Sequence, residues 1–146
     1  MANRVVRLDN VAATKVPSLI KSAKYMGADG ATATKIENGR FVVIGGLMDG
    51  EREVHVAKDV AETDTMVGLV CTPEVLYDEK KDSLMDFINE AGEVIRVMLL
   101  QKGDIFSVAD DTTANDKADE TVGVLTAKYI QTEVCGRLAY KVMEIQ

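Results

Sequence analysis

Apolar residues occur along this chain in short runs that alternate with polar residues or stop at turn-forming residues. Residues 40–44 and 66–71 are mostly apolar runs of strand length, and residues 53–57 alternate between polar and apolar side chains. That alternation has the period of two that is typical of a half-buried β-strand. With further runs toward the carboxyl end, the pattern predicts about seven or eight short strands, which indicates a β-sandwich or a barrel.

Two places carry the signature of a β-hairpin. Residues 33–37 and 40–44 flank Asn38-Gly39, a dipeptide that supplies the two positive φ angles of a type I′ turn. Residues 94–100 and 105–109 flank a short connection that contains Gly103. We expect each pair of runs to form two neighbouring antiparallel strands.

Helix is expected to be scarce. Residues 16–23 predict a turn or two of helix, and residues 83–88 predict a single turn, both too short to be stable without packing. We therefore predict a mainly β protein with one compact sandwich or barrel-like domain over residues 31–146. Residues 1–30 are expected to form an extended N-terminal arm that becomes ordered on a partner.

The charge of the chain bears on its partners. Among 146 residues, 24 are acidic and 17 are basic, giving a net charge of −7. Binding to nucleic acid depends on Lys and Arg that neutralise phosphates, so this balance argues against a nucleic-acid partner. No run approaches the roughly 18 apolar residues of a membrane span, and no apolar core of a signal peptide follows the basic start. We expect synthesis in a cytoplasm and no membrane partner.

The sequence offers little for catalysis or metal binding. The single histidine, His55, alternates with two valines and is expected to face solvent. Cys71 and Cys135 are isolated and are expected to be buried as small hydrophobic residues. The acidic residues 110–120 lack the spacing of an EF-hand and are expected to form a solvated loop. We predict that the protein is not an enzyme and uses neither a cofactor nor a metal.

Four segments resemble the head decoration, or capsid cement, proteins of bacteriophages. They are residues 38–45 (NGRFVVIG), 77–92, 103–108 (GDIFSV) and 136–145 (GRLAYKVMEI). The likeness covers residues 31–146 in organisation, whereas residues 1–30 match only as an arm. It implies a virion structural protein, made in the cytoplasm of the host bacterium, that binds the capsid exterior and stabilises contacts between major capsid subunits.

The resemblance also directs attention to the basic residues of the arm. The prediction is that the arm binds an acidic capsid surface through Arg4, Arg7, Lys15, Lys21 and Lys24. A free segment of this kind can become ordered by adding a strand to an exposed sheet edge. The alternative is that residues 1–30 pack on their own domain. The expected partners are the major capsid protein and a second copy of this chain.

Two other interpretations remain open at this point. A β-sandwich module that binds carbohydrate or another ligand fits the strand pattern, although such modules usually present aromatic platforms and this chain has no Trp. A structural component of the tail or neck of the same virion is close to the decoration interpretation, and the sequence does not exclude it. Neither interpretation requires a catalytic residue.

Overall fold

The computed structural model of the protein describes residues 4–6, 20–64, 66–72, 88–110, 112–135 and 138–146. These residues form strands and turns, and no helix occurs among them. The strands are β1 (Val5–Val6), β2 (Ile20–Tyr25), β3 (Phe41–Leu47), β4 (Val54–Asp59), β5 (Val67–Val70), β6 (Val94–Leu99), β7 (Ile105–Ala109), β8 (Glu120–Val122), β9 (Leu125–Cys135) and β10 (Leu138–Ile145). The prediction of a mainly β fold is confirmed.

Five strands close into a barrel. Their order is β2-β4-β3-β5-β6, and β6 pairs back onto β2 to complete the ring. β2 and β4 run parallel, whereas the other pairs are antiparallel. Because the ring is closed, none of its strands is left as the edge of a sheet.

Small residues allow this five-stranded ring to be filled by its own side chains. Ala23 and Ala57 are completely buried inside it, and Gly68 has no side chain where Val97 approaches. A barrel with so few strands has a narrow interior, so small residues must face the larger Ile95 and Val97. The result is a packed core and not a channel.

The remaining strands form an open sheet in the order β1-β7-β10-β9-β8, with every neighbouring pair antiparallel. Its inner face carries Phe106, Val108, Met143 and Ile145 and packs against the outside of the barrel. The rings of Phe41 and Phe106 meet edge to face across this interface, with centroids 5.7 Å apart. The sheet therefore lies directly on the barrel.

Strands β5 and β6 form the wall that the barrel and the sheet share. Val70, Ile95 and Val97 point into the barrel, whereas Leu69 and Met98 point to the sheet. Both faces are buried along β5 and over residues 97–99 of β6, which explains the continuous apolar runs there, whereas Val94 and Arg96 at the start of β6 are exposed. One pair of strands thus contributes to both cores.

The structure corrects both predicted hairpins. β6 belongs to the barrel and β7 to the open sheet, so the connection containing Gly103 joins two sheets. Residues 33–37 form no strand. Ile36 makes an isolated bridge with Asn89, and Gly39 has the expected positive φ of 80°. The side chain of Asn38 is buried and donates to the carbonyl of Thr72, so tertiary contacts override the local hairpin signal.

The predicted boundary at residue 30 is also corrected. Ile20–Tyr25 is a barrel strand that pairs on both sides. The helix predicted over residues 16–23 is therefore wrong for residues 20–23. Val5–Val6 pairs with the end of β7. Residues 7–19, and all but the last residue of the helical turn predicted over residues 83–88, lie outside the described residues.

Replacing Gly68 by Ala should destabilise the barrel. A Cβ at this position would collide with Cγ1 of Val97, and overfilled cores typically lose about 1–3 kcal/mol. Gly46→Ala is the matched control, since Gly46 is also in a barrel strand and a Cβ there meets nothing within 4 Å. Urea unfolding should show a loss for Gly68→Ala and a change within about 0.5 kcal/mol for Gly46→Ala. Equal effects would show that the absence of a side chain at Gly68 is not needed for the packing of the barrel.

Deleting residues 1–30 should prevent folding, because the deletion removes β2 and opens the barrel between β4 and β6. Two adjacent strands would lose their partners, and their backbone groups would have no other strand to bond. Circular dichroism and urea unfolding should show no cooperative transition for this variant. A deletion of residues 1–3 is the control and should unfold cooperatively. A stable, cooperatively folded variant lacking residues 1–30 would show that β2 is dispensable.

Candidate functional site

Arg4, one of the five predicted capsid-binding residues, lies inside the protein. It is 8 % exposed and lies between the two halves of the fold. Its backbone N–H donates to Oε2 of Glu37, 3.1 Å away, in the segment that leads to β3. Its guanidinium lies 3.9 Å from Asp110 and 3.5 Å from Glu120, beside the open sheet. Arg4 therefore joins β1 to both halves and is not available to a capsid.

A second buried cation, Lys141, lies close to Arg4. Lys141 is 0 % exposed and shares the inner face of β10 with Met143 and Ile145. Its Nζ lies 3.2 Å from Oδ2 of Asp116 and 3.6 Å from Oε1 of Glu120. Glu120 thus contacts both cations. We call Arg4, Lys141, Asp110, Asp116 and Glu120 the ionic cluster.

The acidic loop is folded onto this cluster. The hydroxyl of Thr113 is buried and donates to the carbonyl of Ala139 in β10, 2.6 Å away, and it also accepts from the N–H of Asp110. The expectation of a solvated loop over residues 110–120 therefore holds for most of its residues, which are exposed, but not for the buried Thr113 or for Asp110, whose side chain is 15 % exposed. The signal that could have revealed it is Lys141, which falls in register with two core residues of β10.

The ionised forms of two carboxyl groups in the cluster are favoured. Burial by itself would raise the pKa of Asp110, but hydrogen bonds from Thr112 and the charge of Arg4 outweigh it, so the pKa is lowered. For Asp116, the N–H of Ala118 is the largest influence and lowers the pKa, burial opposes it, and the charge of Lys141 adds to the lowering. Asp110 therefore stabilises the fold as a carboxylate.

The other predicted capsid-binding residues have different positions. Lys21 and Lys24 lie in β2, where both are half-buried. Lys24 pairs with Val94 of β6 and Val56 of β4, on the opposite face of the strand from buried Ala23. Arg7 and Lys15 lie outside the described residues. The structure thus does not bring Arg4 together with Lys21 and Lys24 in one surface patch.

A groove of about 650 Å³ lies between the barrel and the turn that follows β8. Phe41, Val60 and Val122 give it an apolar floor, and Arg40 lies at its rim. The hydroxyl of Tyr25 donates to Asp59 at one side of the groove. Burial and this hydrogen bond raise the pKa of Tyr25 to about 12, so its phenol stays protonated at neutral pH. The volume falls within the range of small-ligand sites.

The β9–β10 hairpin extends beyond the rest of the open sheet. β10 pairs with β9 along its whole length, but β7 covers only the part from Lys141 to Glu144. On the other side, β8 pairs only with Leu125–Ala127 of β9. Within the described part of the chain, no strand covers the outer edge of β9 beyond that point. Val134, near the end of this edge, is 76 % exposed.

The histidine and the cysteines, which are the side chains most often used in catalysis or metal binding, lie in strands or next to them. His55 is half-buried, and its Nδ1 lies 3.1 Å from the carbonyl of Gly45. It pairs with buried Ala23 and so shares its face of the sheet, which corrects the outward orientation expected from the sequence. Cys71 is buried as predicted, and burial raises its pKa to about 11 although the charge of Arg96 opposes this. Nothing is described for the Cys135 side chain.

Comparisons with known proteins do not assign a function to this arrangement. No protein-family model, no curated protein and no solved structure matches the chain. Within the described ranges, no group of three or more His, Cys, Asp or Glu side chains is arranged to hold a metal ion. The same ranges contain no helix that could cross a membrane.

The ionic cluster should make stability depend on pH. Because the pKa of Asp110 is lower in the folded protein, its contribution is complete above about pH 5 and is lost as the pH falls through the folded value. Urea unfolding of the wild type and of the Asp110→Asn variant should differ clearly near pH 6. That difference should shrink toward pH 2.5. A difference that is the same at both pH values would contradict the cluster's role.

Proposed function

We propose that this chain is a virion structural protein that binds the outside of a phage capsid and stabilises contacts between major capsid subunits. The resemblance of residues 38–45, 77–92, 103–108 and 136–145 to decoration proteins motivates the proposal. An all-β body without a helix in its described part is compatible with a role that requires a fixed shape. The proposal involves no reaction and no cofactor.

The observation that carries the proposal furthest is the projecting β9–β10 hairpin. The outer edge of β9 around Thr132 and Val134 is not covered by a described strand, and an open edge can accept an extended segment of another protein. The exposed side chain of Val134 adds apolar surface at the same place. The loop contact from Thr113 to Ala139 supports the hairpin from the opposite side. We propose this edge as a contact with the capsid.

The basic residues contribute differently from the initial prediction. Arg4 is occupied by the ionic cluster, so its contribution is to hold β1 in place. Lys21 and Lys24 remain candidates for contacts with acidic capsid residues, as do Arg7 and Lys15. Contacts of exposed charges contribute modestly and are weakened by salt, so we propose the hairpin edge as the main source of affinity.

Co-sedimentation with expanded capsids that lack this protein tests the proposal. The wild-type protein should sediment with the capsids at saturable stoichiometry. Val134→Asp should weaken binding by about tenfold or more, because a charge would be placed in the apolar contact. Val124→Asp is the matched control: Val124 is also an exposed valine, 56 % accessible, but lies in the turn between β8 and β9, at the opposite end of β9 from Val134. It should bind like the wild type.

Two outcomes would contradict the proposal in different ways. If the wild-type protein does not bind capsids, capsid decoration is wrong, and binding to purified tails or necks would support the alternative virion location. If Val134→Asp binds undiminished, the protein can still be a decoration protein but not through this edge. Lys24→Glu, measured at two salt concentrations, tests the contribution of β2.

The groove favours a second candidate, a module that binds a small ligand or a carbohydrate. Its apolar floor includes Phe41, and Arg40 at the rim is half-exposed and could bind a polar group. Calorimetric titration with a panel of glycans tests this candidate. Binding that is lost in Arg40→Ala, together with no affinity for capsids, would favour the module over the decoration protein.

A further inference from the structure

Lys141 has surroundings that an ordinary surface ion pair lacks. Its cross-strand neighbours are Val108 and Thr132, and its side chain is completely buried. Nζ lies within ion-pair distance of two carboxylates, yet it forms no hydrogen bond of good geometry with any described residue. A buried ammonium whose donors are not satisfied carries a large desolvation cost.

We propose that Lys141 and Asp116 form an intramolecular isopeptide bond, with Glu120 as the group that carries the proton. The bond joins Nζ of Lys141 to Cγ of Asp116 and would staple the acidic loop to β10. This inference goes beyond the proposed function and does not depend on it. It rests on the distances and burial within the ionic cluster.

The atoms of the reaction balance without any other reactant. An ammonium and a carboxylate condense to a secondary amide and one water molecule. Nζ keeps one of its three protons, and the other two leave with Oδ2 of Asp116 as the Cγ–Oδ2 bond breaks. Oε1 of Glu120 accepts a proton from Nζ and returns it to Oδ2, so that Glu120 ends as it began. No oxidant, reductant or cofactor takes part.

The geometry supplies what this condensation needs. Nζ is 3.2 Å from Oδ2, so the amine and carboxyl are held together by the fold, and such positioning is worth a high effective concentration. The N–H of Ala118 donates to Oδ1 at 3.0 Å, where negative charge develops after attack on Cγ. Nη2 of Arg4 lies 3.5 Å from Oε2 of Glu120, which leaves Oε1 directed to Lys141.

The two ends of the bond differ in their access to solvent. Lys141 is shielded from solvent, so water does not separate its amine from the carboxyl group. The Asp116 side chain is 34 % exposed, so the water that is released has a path out. The fold thus encloses the nucleophile and leaves an exit on the side of the leaving group.

The intact mass of the folded, purified protein under denaturing conditions tests the inference. We expect a mass lower by one water than the sequence requires. Because trypsin does not cleave after an acylated lysine, digestion should yield residues 103–117 joined to residues 138–146 through Lys141. A protein of full mass, with trypsin cleaving after Lys141, would overturn the proposal. Water loss mapped to any other position, such as a cyclised aspartate, would also overturn it.

Variants separate the roles of the three residues. Lys141→Met and Asp116→Ala should abolish the water loss, and each can be scored by mass whether or not it is stable. Glu120→Gln should slow bond formation by about 100-fold or more, followed by mass after refolding. Lys128→Met is the control, since Lys128 is exposed on the neighbouring strand, and it should lose water like the wild type. Unslowed formation in Glu120→Gln would remove Glu120 from the mechanism.

Discussion

Strands β5 and β6 contribute side chains to both hydrophobic cores, one inside the barrel and one between the barrel and the open sheet. The rest of the structure depends on this burial of both faces. Val70 and Val97 fill the barrel, while Leu69 and Met98 support the open sheet. A substitution on either face therefore affects the packing of a different half. Gly68 lies where Val97 of β6 approaches β5 so closely that a Cβ atom would not fit.

The interface between the barrel and the open sheet ends in charged residues. Along the inner face of β10, the apolar side chains of Ile145 and Met143 are followed by Lys141, and Arg4, just before β1, lies near the same Glu120. Buried cations are tolerated only with close partners, and the loop that carries Asp110, Asp116 and Glu120 supplies them. The ionic cluster thereby closes the end of the interface that hydrophobic packing leaves open. It also fixes β1 and the base of the projecting hairpin.

The sequence predicted most strands but not their partners. Residues 53–57 and 66–71 were identified because alternation and apolar runs are local signals, whereas pairing depends on which sheet a strand joins. The Gly103 connection has the composition of a hairpin turn, yet β6 and β7 separate because β6 is needed to close the barrel onto β2. Among the predicted site residues, Arg4 is expected to bind a partner because it is basic and lies in the expected N-terminal arm. Its burial follows from Asp110 and Glu120, which lie more than a hundred residues away.

The barrel and the sheet share β5 and β6 and so form one mechanical unit, as the proposed binding to a capsid would require. Native-state hydrogen exchange tests this claim most directly, because it measures the free energy at which each segment opens. Amides of β5, β6, β7 and β10 should exchange only through global unfolding, with the same free energy and the same dependence on denaturant. If the amides of β7 and β10 exchanged through an opening of much lower free energy while the barrel stayed protected, the two halves would be independent. That result would contradict the account.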